Sequence, residues 1–159
     1  QRLAGYPDRL DPDARGEKAT LLVAATVPAW VRMPIREDIP AAELEARIAA
    51  LAAAAGLDVS RPFPFRVEGH FKDLGWHIHD GEGLPATATH DERMAAARRG
   101  TLATADGVAL GFFSTGHGGV FTHMGRHTHV HAWLPSAGLV VHCEEMVIAA
   151  GSVLLLPAR

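Results

Sequence analysis

His127-Thr128-His129-Val130-His131-Ala132-Trp133-Leu134, then Pro135-Ser136-Ala137-Gly138, then Leu139-Val140-Val141-His142-Cys143-Glu144, is the stretch that decides the fold of this chain. Alternate side chains on a strand share a face. Folded as two antiparallel strands joined by the loop 135–138, the stretch pairs Leu134 with Leu139, Trp133 with Val140 and His131 with His142. One step on, His129 faces Glu144. Directly opposed residues sit on one face, with Cβ atoms roughly 4.5–5.5 Å apart. One face therefore carries His127, His129, His131, Trp133, Val140, His142 and Glu144. The other carries Thr128, Val130, Ala132, Leu134, Leu139, Val141 and Cys143, and is apolar enough to be core. A one-residue slip would mix the two sets, so their clean separation argues for this register.

Three imidazoles converging from two paired strands form a metal site, and three protein ligands leave a position for water or substrate. His129, His131 and His142 are the predicted ligands. Zinc suits neutral imidazoles at tetrahedral spacing; iron, nickel, copper and manganese stay open. The competing reading is a solvated sheet face, where Thr, Lys and Glu are the usual residues. Glu144 is the natural fourth group: a ligand, a group that orients His129, or a general acid/base. Glu145 points to the other face. A second His-x-His, in Trp76-His77-Ile78-His79, lines the same cleft or sits on a half-exposed strand. Arg126 reaches a substrate carboxylate or serves its turn. Trp133 walls the pocket or packs. Cys143, on the apolar face, reads as a buried small residue.

Working outward, the rest of the chain predicts an α+β domain dominated by antiparallel or mixed sheet, with one main helix in the first half. Residues 1–18 are polar and turn-rich and read as an arm or the remnant of a further N-terminal segment; residues 19–159 read as a single domain. Thr20–Val27 is a strand candidate. Pro40 to Ala55 predicts a helix with Leu44, Ile48 and Leu51 in one stripe and Gly56 after it. Phe63 to His79 is extended, with a turn at Asp80-Gly81, and Arg93 to Arg99 predicts a short helix. Thr101–Ala105 and Val108–Phe113 flank Asp106-Gly107, a hairpin signal. Val120–Met124, His127–Leu134, Leu139–Ile148 and Val153–Leu156 follow as strands.

The 159 residues suffice for one domain with a real core, and 48% of them are hydrophobic. A net charge of -3 with no basic stripe argues against nucleic acid as a partner. No apolar run approaches the roughly 20 residues that span a bilayer. The single cysteine excludes a disulfide framework and a multi-Cys zinc site. Of ten histidines, five lie between His123 and His142, so the excess is concentrated where the metal strands are. The chain starts at Gln1, which leaves a cytoplasmic protein and a periplasmic or secreted one with its leader removed both open.

One metal fold fails against the pattern. Cupins follow His-x-His with a Glu a few residues on, and here Trp133, Leu134, Pro135 and Ser136 fill that window. The chain instead resembles the α-acetolactate decarboxylase family, from about Thr20 to Pro157. The resemblance rests on Phe63-Pro64-Phe65-Arg66-Val67-Glu68-Gly69, Arg99-Gly100-Thr101-Leu102, Gly111-Phe112-Phe113 and Gly118-Gly119-Val120. It includes the His-x-His strand with a third histidine eleven residues on, and a closing Leu154-Leu155-Leu156-Pro157. It implies a homodimer and zinc held by His129, His131 and His142. The implied reaction is decarboxylation of α-acetolactate, or a similar 2-hydroxy-3-oxo acid, to acetoin. The cation would act as a Lewis acid on the substrate's hydroxyl and carbonyl oxygens. The resemblance sets His77 where the family carries a basic Arg, which implies His77 as cation or donor toward the substrate, with His79 beside it. The family's essential N-terminal Glu has no counterpart in this sequence, and His117, His123 and His127 lie outside the family's pattern. Three functions follow as expectations: this decarboxylase, with Glu144 and His77 as its catalytic groups; a metalloenzyme of altered substrate; or a non-catalytic metal-binding or small-ligand-binding domain.

Overall fold

The computed structural model describes residues 23–79, 83–85, 87–120 and 122–158. The elements run β1 (Trp30–Pro34), a 3-10 turn (Ala41–Glu43), α1 (Leu44–Ala54), β2 (Phe63–Ile78), α2 (His90–Ala96), β3 (Arg98–Phe113), β4 (Thr128–Leu134), β5 (Leu139–Ile148) and β6 (Val153–Pro157). The six strands form an antiparallel sheet in the order β1-β6-β2-β3-β4-β5, and β2 also pairs with β5. β2, β3, β4 and β5 therefore pair in a closed cycle. The α+β, sheet-dominated architecture with one main helix is as the pattern predicts. Among the described residues no helix is long and apolar enough to cross a membrane.

The decisive hairpin has the predicted register: Leu134 pairs with Leu139, Trp133 with Val140, Ala132 with Val141 and His131 with His142. Its loop is a 3-10 turn over Pro135–Ala137 that ends at Gly138 with φ +64°, a left-handed position suited to glycine. Val130, Ala132, Leu134, Leu139, Val141 and Cys143 are all buried. They join Phe65, Val67, Phe71, Leu74, Met146, Ile148, Leu154 and Leu156 in one core. Helix α1 adds Leu44, Ile48 and Ala52 to that core. Leu51 packs at its margin. Gly56, at φ +84°, closes the helix.

The structure corrects five local expectations. The arm over residues 1–18, and Thr20 to Leu22 of the first strand candidate, lie outside the described residues. Residues 23–27 form no strand; the first strand is β1, whose Trp30–Pro34 pairs with Val153–Pro157. The second helix spans His90–Ala96, earlier than predicted. Thr89 and Glu92 form a reciprocal capping box that starts it, and Arg98 onward is drawn into the ladder beside Ile78.

Asp106-Gly107 is no turn: β3 runs straight through it, with Asp106 opposite His70 and Gly107 opposite Gly69. Glycine at 107 serves close approach, since a Cβ there would lie 2.2 Å from the Trp133 carbonyl oxygen. A strand was expected at Val120–Met124; the described residues between 114 and 127 form a connection whose bridge joins Gly118 and Thr122. Lastly, His129 does not face Glu144. The β4–β5 ladder stops at His131 and His142, and β5 crosses onto β2, where Trp76 pairs with Cys143 but Gly75 with Glu145. Glu144 is the extra residue of a β-bulge. The bulge also switches the buried set from Leu139, Val141 and Cys143 to Met146 and Ile148.

Candidate metal centre

His142 lies at the one position of β5 that pairs on both sides, with His131 of β4 and with His77 of β2. Three histidines thus form a row across three strands. His129, two residues before His131 on the same strand, pairs with Phe112 of β3. The start of β4 is pinned by helix α1. Glu45 Oε1 accepts hydrogen bonds from His127 N at 2.8 Å, Thr128 N at 3.1 Å and Thr128 Oγ1 at 2.9 Å. The carboxylate anchor is immediately before His129, so it sets where the first ligand strand begins.

The ligand nitrogens of His129, His131 and His142 all lie within 4.8 Å of one another. His129 Nε2 is 3.1 Å from His131 Nε2, and His131 Nε2 is 3.4 Å from His142 Nδ1. Zn–N bonds of about 2.0–2.1 Å in tetrahedral array set ligand nitrogens about 3.3 Å apart. Two of the three separations match that spacing and the third lies within 4.8 Å, so the donor set suits a tetrahedral cation. The protonation state fits as well. Burial first, then the neighbouring imidazoles His77, His131 and His129, push the His142 pKa down to about 2. His131, more open to solvent, is lowered to about 4 by burial and then by His129. Both rings are neutral at physiological pH, as ligation requires.

His77 is 2% exposed and its ring centroid lies 4.4 Å from that of His142. Its Nδ1 is 3.0 Å from Glu144 Oε1, and the same oxygen accepts a hydrogen bond from Arg99 Nη1. Burial and the neighbouring His79 lower the His77 pKa, against the opposing pull of Glu144. Arg99 stands opposite His77 in the β2–β3 register. The bulge at residue 144 thus gives its carboxylate to His77 and Arg99, not to His129.

A cavity of about 590 Å³ contains His77, His123, Arg126, His129, His142 and Glu144 in its wall. A neighbouring cavity of about 800 Å³ is lined by His79, His90, Thr122, His123, His131 and His142. His77, His79, Arg126 and Glu144 thus line the cavities around the histidine cluster. Trp133 shares the sheet face but is 56% exposed, and it lines neither these cavities nor the apolar one beside β1. Cys143 is buried, and burial pushes its thiol up to about 12, which suits a core residue and not a nucleophile.

Three residues at or near the site had no role in the sequence reading. Glu45 was a helix residue, and Arg99 was one letter of a strand opening. His123 was unexplained; its Nε2 lies 3.0 Å from His142 Nε2. Burial and then His129 lower its pKa. None of the three carried a local signal in the chain. Arg99 is placed by the β2–β3 register, Glu45 by the packing of α1 on the start of β4, and His123 by the connection before β4.

No family model matches the sequence, and no curated protein sequence matches it. Solved structures share its fold. Acetolactate decarboxylase from Bacillus subtilis subspecies spizizenii superposes with a TM-score of 0.63 at 15% identity, covering 84% of this chain and 54% of that one. Alpha-acetolactate decarboxylase from Bacillus subtilis strain 168 gives 0.64 at 13% identity, with coverages of 84% and 53%. A protein of unknown function from Staphylococcus aureus, described as similar to alpha-acetolactate decarboxylase, gives 0.60 at 14% identity, with 83% and 52%. The chain spans about half the length of these structures, and at such identities the likeness is one of fold: this chain has a distant structural relationship to the acetolactate decarboxylases.

Proposed function

We propose that residues 19–159 act as a single metal-dependent carboxy-lyase domain, with zinc as the cation and α-acetolactate or a similar 2-hydroxy-3-oxo acid as substrate. The observation that carries this reading is the convergence of three imidazoles beside a bulged carboxylate. His129, His131 and His142 hold the metal. When bound, it supplies Lewis acidity to neighbouring oxygens of the substrate. The chain's own groups handle charge and protons. Arg99 binds the Glu144 carboxylate, and Glu144 in turn fixes the proton of neutral His77 on Nδ1. In a decarboxylation, the bond to the departing carboxylate breaks with its electron pair left on the substrate carbon. That carbon must then take a proton. Glu144 and His77 together are the group within the cavity built to deliver it. Arg126, on the cavity wall, attracts the substrate carboxylate. His79 bounds the outer approach, and two copies pair as a homodimer through open strand edges.

A second reading, a metalloprotein of altered substrate or a domain that binds metal or a small ligand without turnover, is favoured by His77. It is nearly fully buried and committed to Glu144, so it offers substrate no cation of the kind the family's Arg provides. Metal analysis and acetoin release from racemic acetolactate separate these. His129→Ala, His131→Ala and His142→Ala should each strip the metal, and Glu144→Gln should keep metal while losing turnover. Undiminished metal in any of the three alanine variants would remove that ligand. Stoichiometric zinc with no acetoin from the full chain would favour the second reading.

A further inference from the structure

The sheet face that bears the histidines also walls an apolar cavity, for which the decarboxylase chemistry has no use. Its volume is about 430 Å³, and Val23, Val27, Trp30, Pro64, Leu110 and Phe112 line it together with His129 and His131. Apart from those two imidazoles, its described wall holds no charged, hydroxyl or amide side chain. The two cavities around the histidine cluster differ in kind. One carries Glu45, Arg126 and Glu144, and the other His79, His90 and Thr122. His129 belongs to the walls of all three, so it borders the polar spaces and the apolar one at once.

Strand register produces this contiguity. Phe112 of β3 is opposite His129 of β4, and Leu110 is opposite His131. Directly opposed residues share a face, with Cβ atoms roughly 4.5–5.5 Å apart. On the far side of β3 the row continues, with Pro64 of β2 opposite Phe112. Two of the three candidate ligands are thus one strand away from two large apolar side chains. The remaining wall comes from residues 23–27 and from Trp30 at the start of β1. Its position is fixed where Ala158 N donates to Ala29 O at 2.8 Å and Trp30 pairs with Pro157.

A single exposed leucine needs no explanation. Leu110, however, is 56% exposed in a concave wall shared with Trp30 and Phe112, beside a candidate metal centre. Apolar clefts of roughly 300–1,000 Å³ with a few polar groups at one place are the usual form of small-molecule sites. The wall also selects against a peptide occupant. Backbone N–H and C=O groups would lose water there and find no partners, whereas an alkyl chain loses nothing.

We propose that the substrate of this centre carries an alkyl chain longer than the methyl group of acetolactate, and that this cavity seats the chain while the substrate's oxygens hold the metal. The proposal rests on the three-histidine metal reading and narrows its substrate class to 2-hydroxy-3-oxo acids with an extended alkyl substituent. Leu110, Phe112 and Val27 set the specificity for chain length.

The test uses the full chain loaded with zinc and a series of straight-chain hydroxamates, from acetohydroxamate to hexanohydroxamate, titrated by calorimetry. A methylene that is fully buried on binding tightens affinity by up to about fourfold. Hexanohydroxamate should therefore bind at least about tenfold more tightly than acetohydroxamate. Leu110→Ser, at an exposed position, should reduce that ratio to about threefold or less. Val27→Trp, which narrows the cavity from the other wall, should reduce it as well. Stoichiometric zinc with equal affinity for the two hydroxamates overturns the alkyl-chain proposal alone, as does a length dependence that both variants leave intact. A dimer that Leu110→Ser dissociates, with no effect of chain length, assigns the apolar face to a second copy and also overturns it. A chain that takes up no zinc overturns this proposal and the metal reading together.

Discussion

Acidifying the metal-free protein from pH 6.5 to 5 should cost about 2 kcal/mol of folding stability through His142 alone. In the unfolded chain this imidazole takes up a proton near its ordinary value of 6.5. In the fold, where the residue is 8% exposed and faced by other imidazoles, the pKa is pushed down to about 2. Throughout the window the unfolded state binds more protons than the folded one. Stability therefore falls as the pH falls below 6.5, and is regained as the pH rises back through it. Each pH unit is worth about 1.4 kcal/mol per such proton, and the window covers about 1.5 units. His77, also buried and lowered, adds in the same direction. Most carboxylates titrate below the window. The assay is urea unfolding followed by tryptophan fluorescence, in the presence of EDTA, at several pH values between 7.5 and 5. His142→Asn cannot take up the proton, so its pH slope should be shallower by about one proton. Equal slopes in the two proteins, or stability that rises on acidification, would refute the reasoning.

Three further outcomes follow from the same geometry. Glu45→Ala removes the acceptor of three hydrogen bonds at the start of β4 and should cost about 2–3 kcal/mol in denaturant unfolding. Glu45→Gln, which keeps a carbonyl acceptor, should lose less than half of that. Gly107→Ala forces a methyl against the Trp133 carbonyl and should cost about 1–3 kcal/mol, whereas a residue in a tolerant hairpin turn would cost little. Cys143 should resist a thiol reagent at pH 8 until the protein is unfolded in denaturant; rapid labelling of the native chain would contradict its burial.

The hairpin from Thr128 to Val141, the helix that starts near residue 40 and the grouping of His129, His131 and His142 were all legible in the sequence. Each depends on strict periodicity or on turn chemistry between neighbours in the chain, and those signals are local. The hairpin loop is short enough that register follows from the apolar alternation alone. The strand-through at Asp106-Gly107 was not legible, because a turn glycine and a close-packing glycine read alike. Which one it is depends on β4 lying across it. The pairing of His129 with Glu144 failed for a related reason: it assumed that β5 continued along β4. The sequence did hold a trace of the bulge, in the three-residue step from Cys143 to Met146 between buried positions.

What the sequence determined by itself was therefore a pair of strands with three imidazoles on one face. What only the tertiary structure decided was the company those imidazoles keep. Closure of β5 onto β2 set His77 beside His142, and the β2–β3 ladder brought Arg99 to Glu144. The 114–127 connection carried His123 back to the centre. These contacts join residues 19 to 67 positions apart, and at such separations no periodicity in the chain survives to announce them; they are fixed by the burial of the shared core beneath.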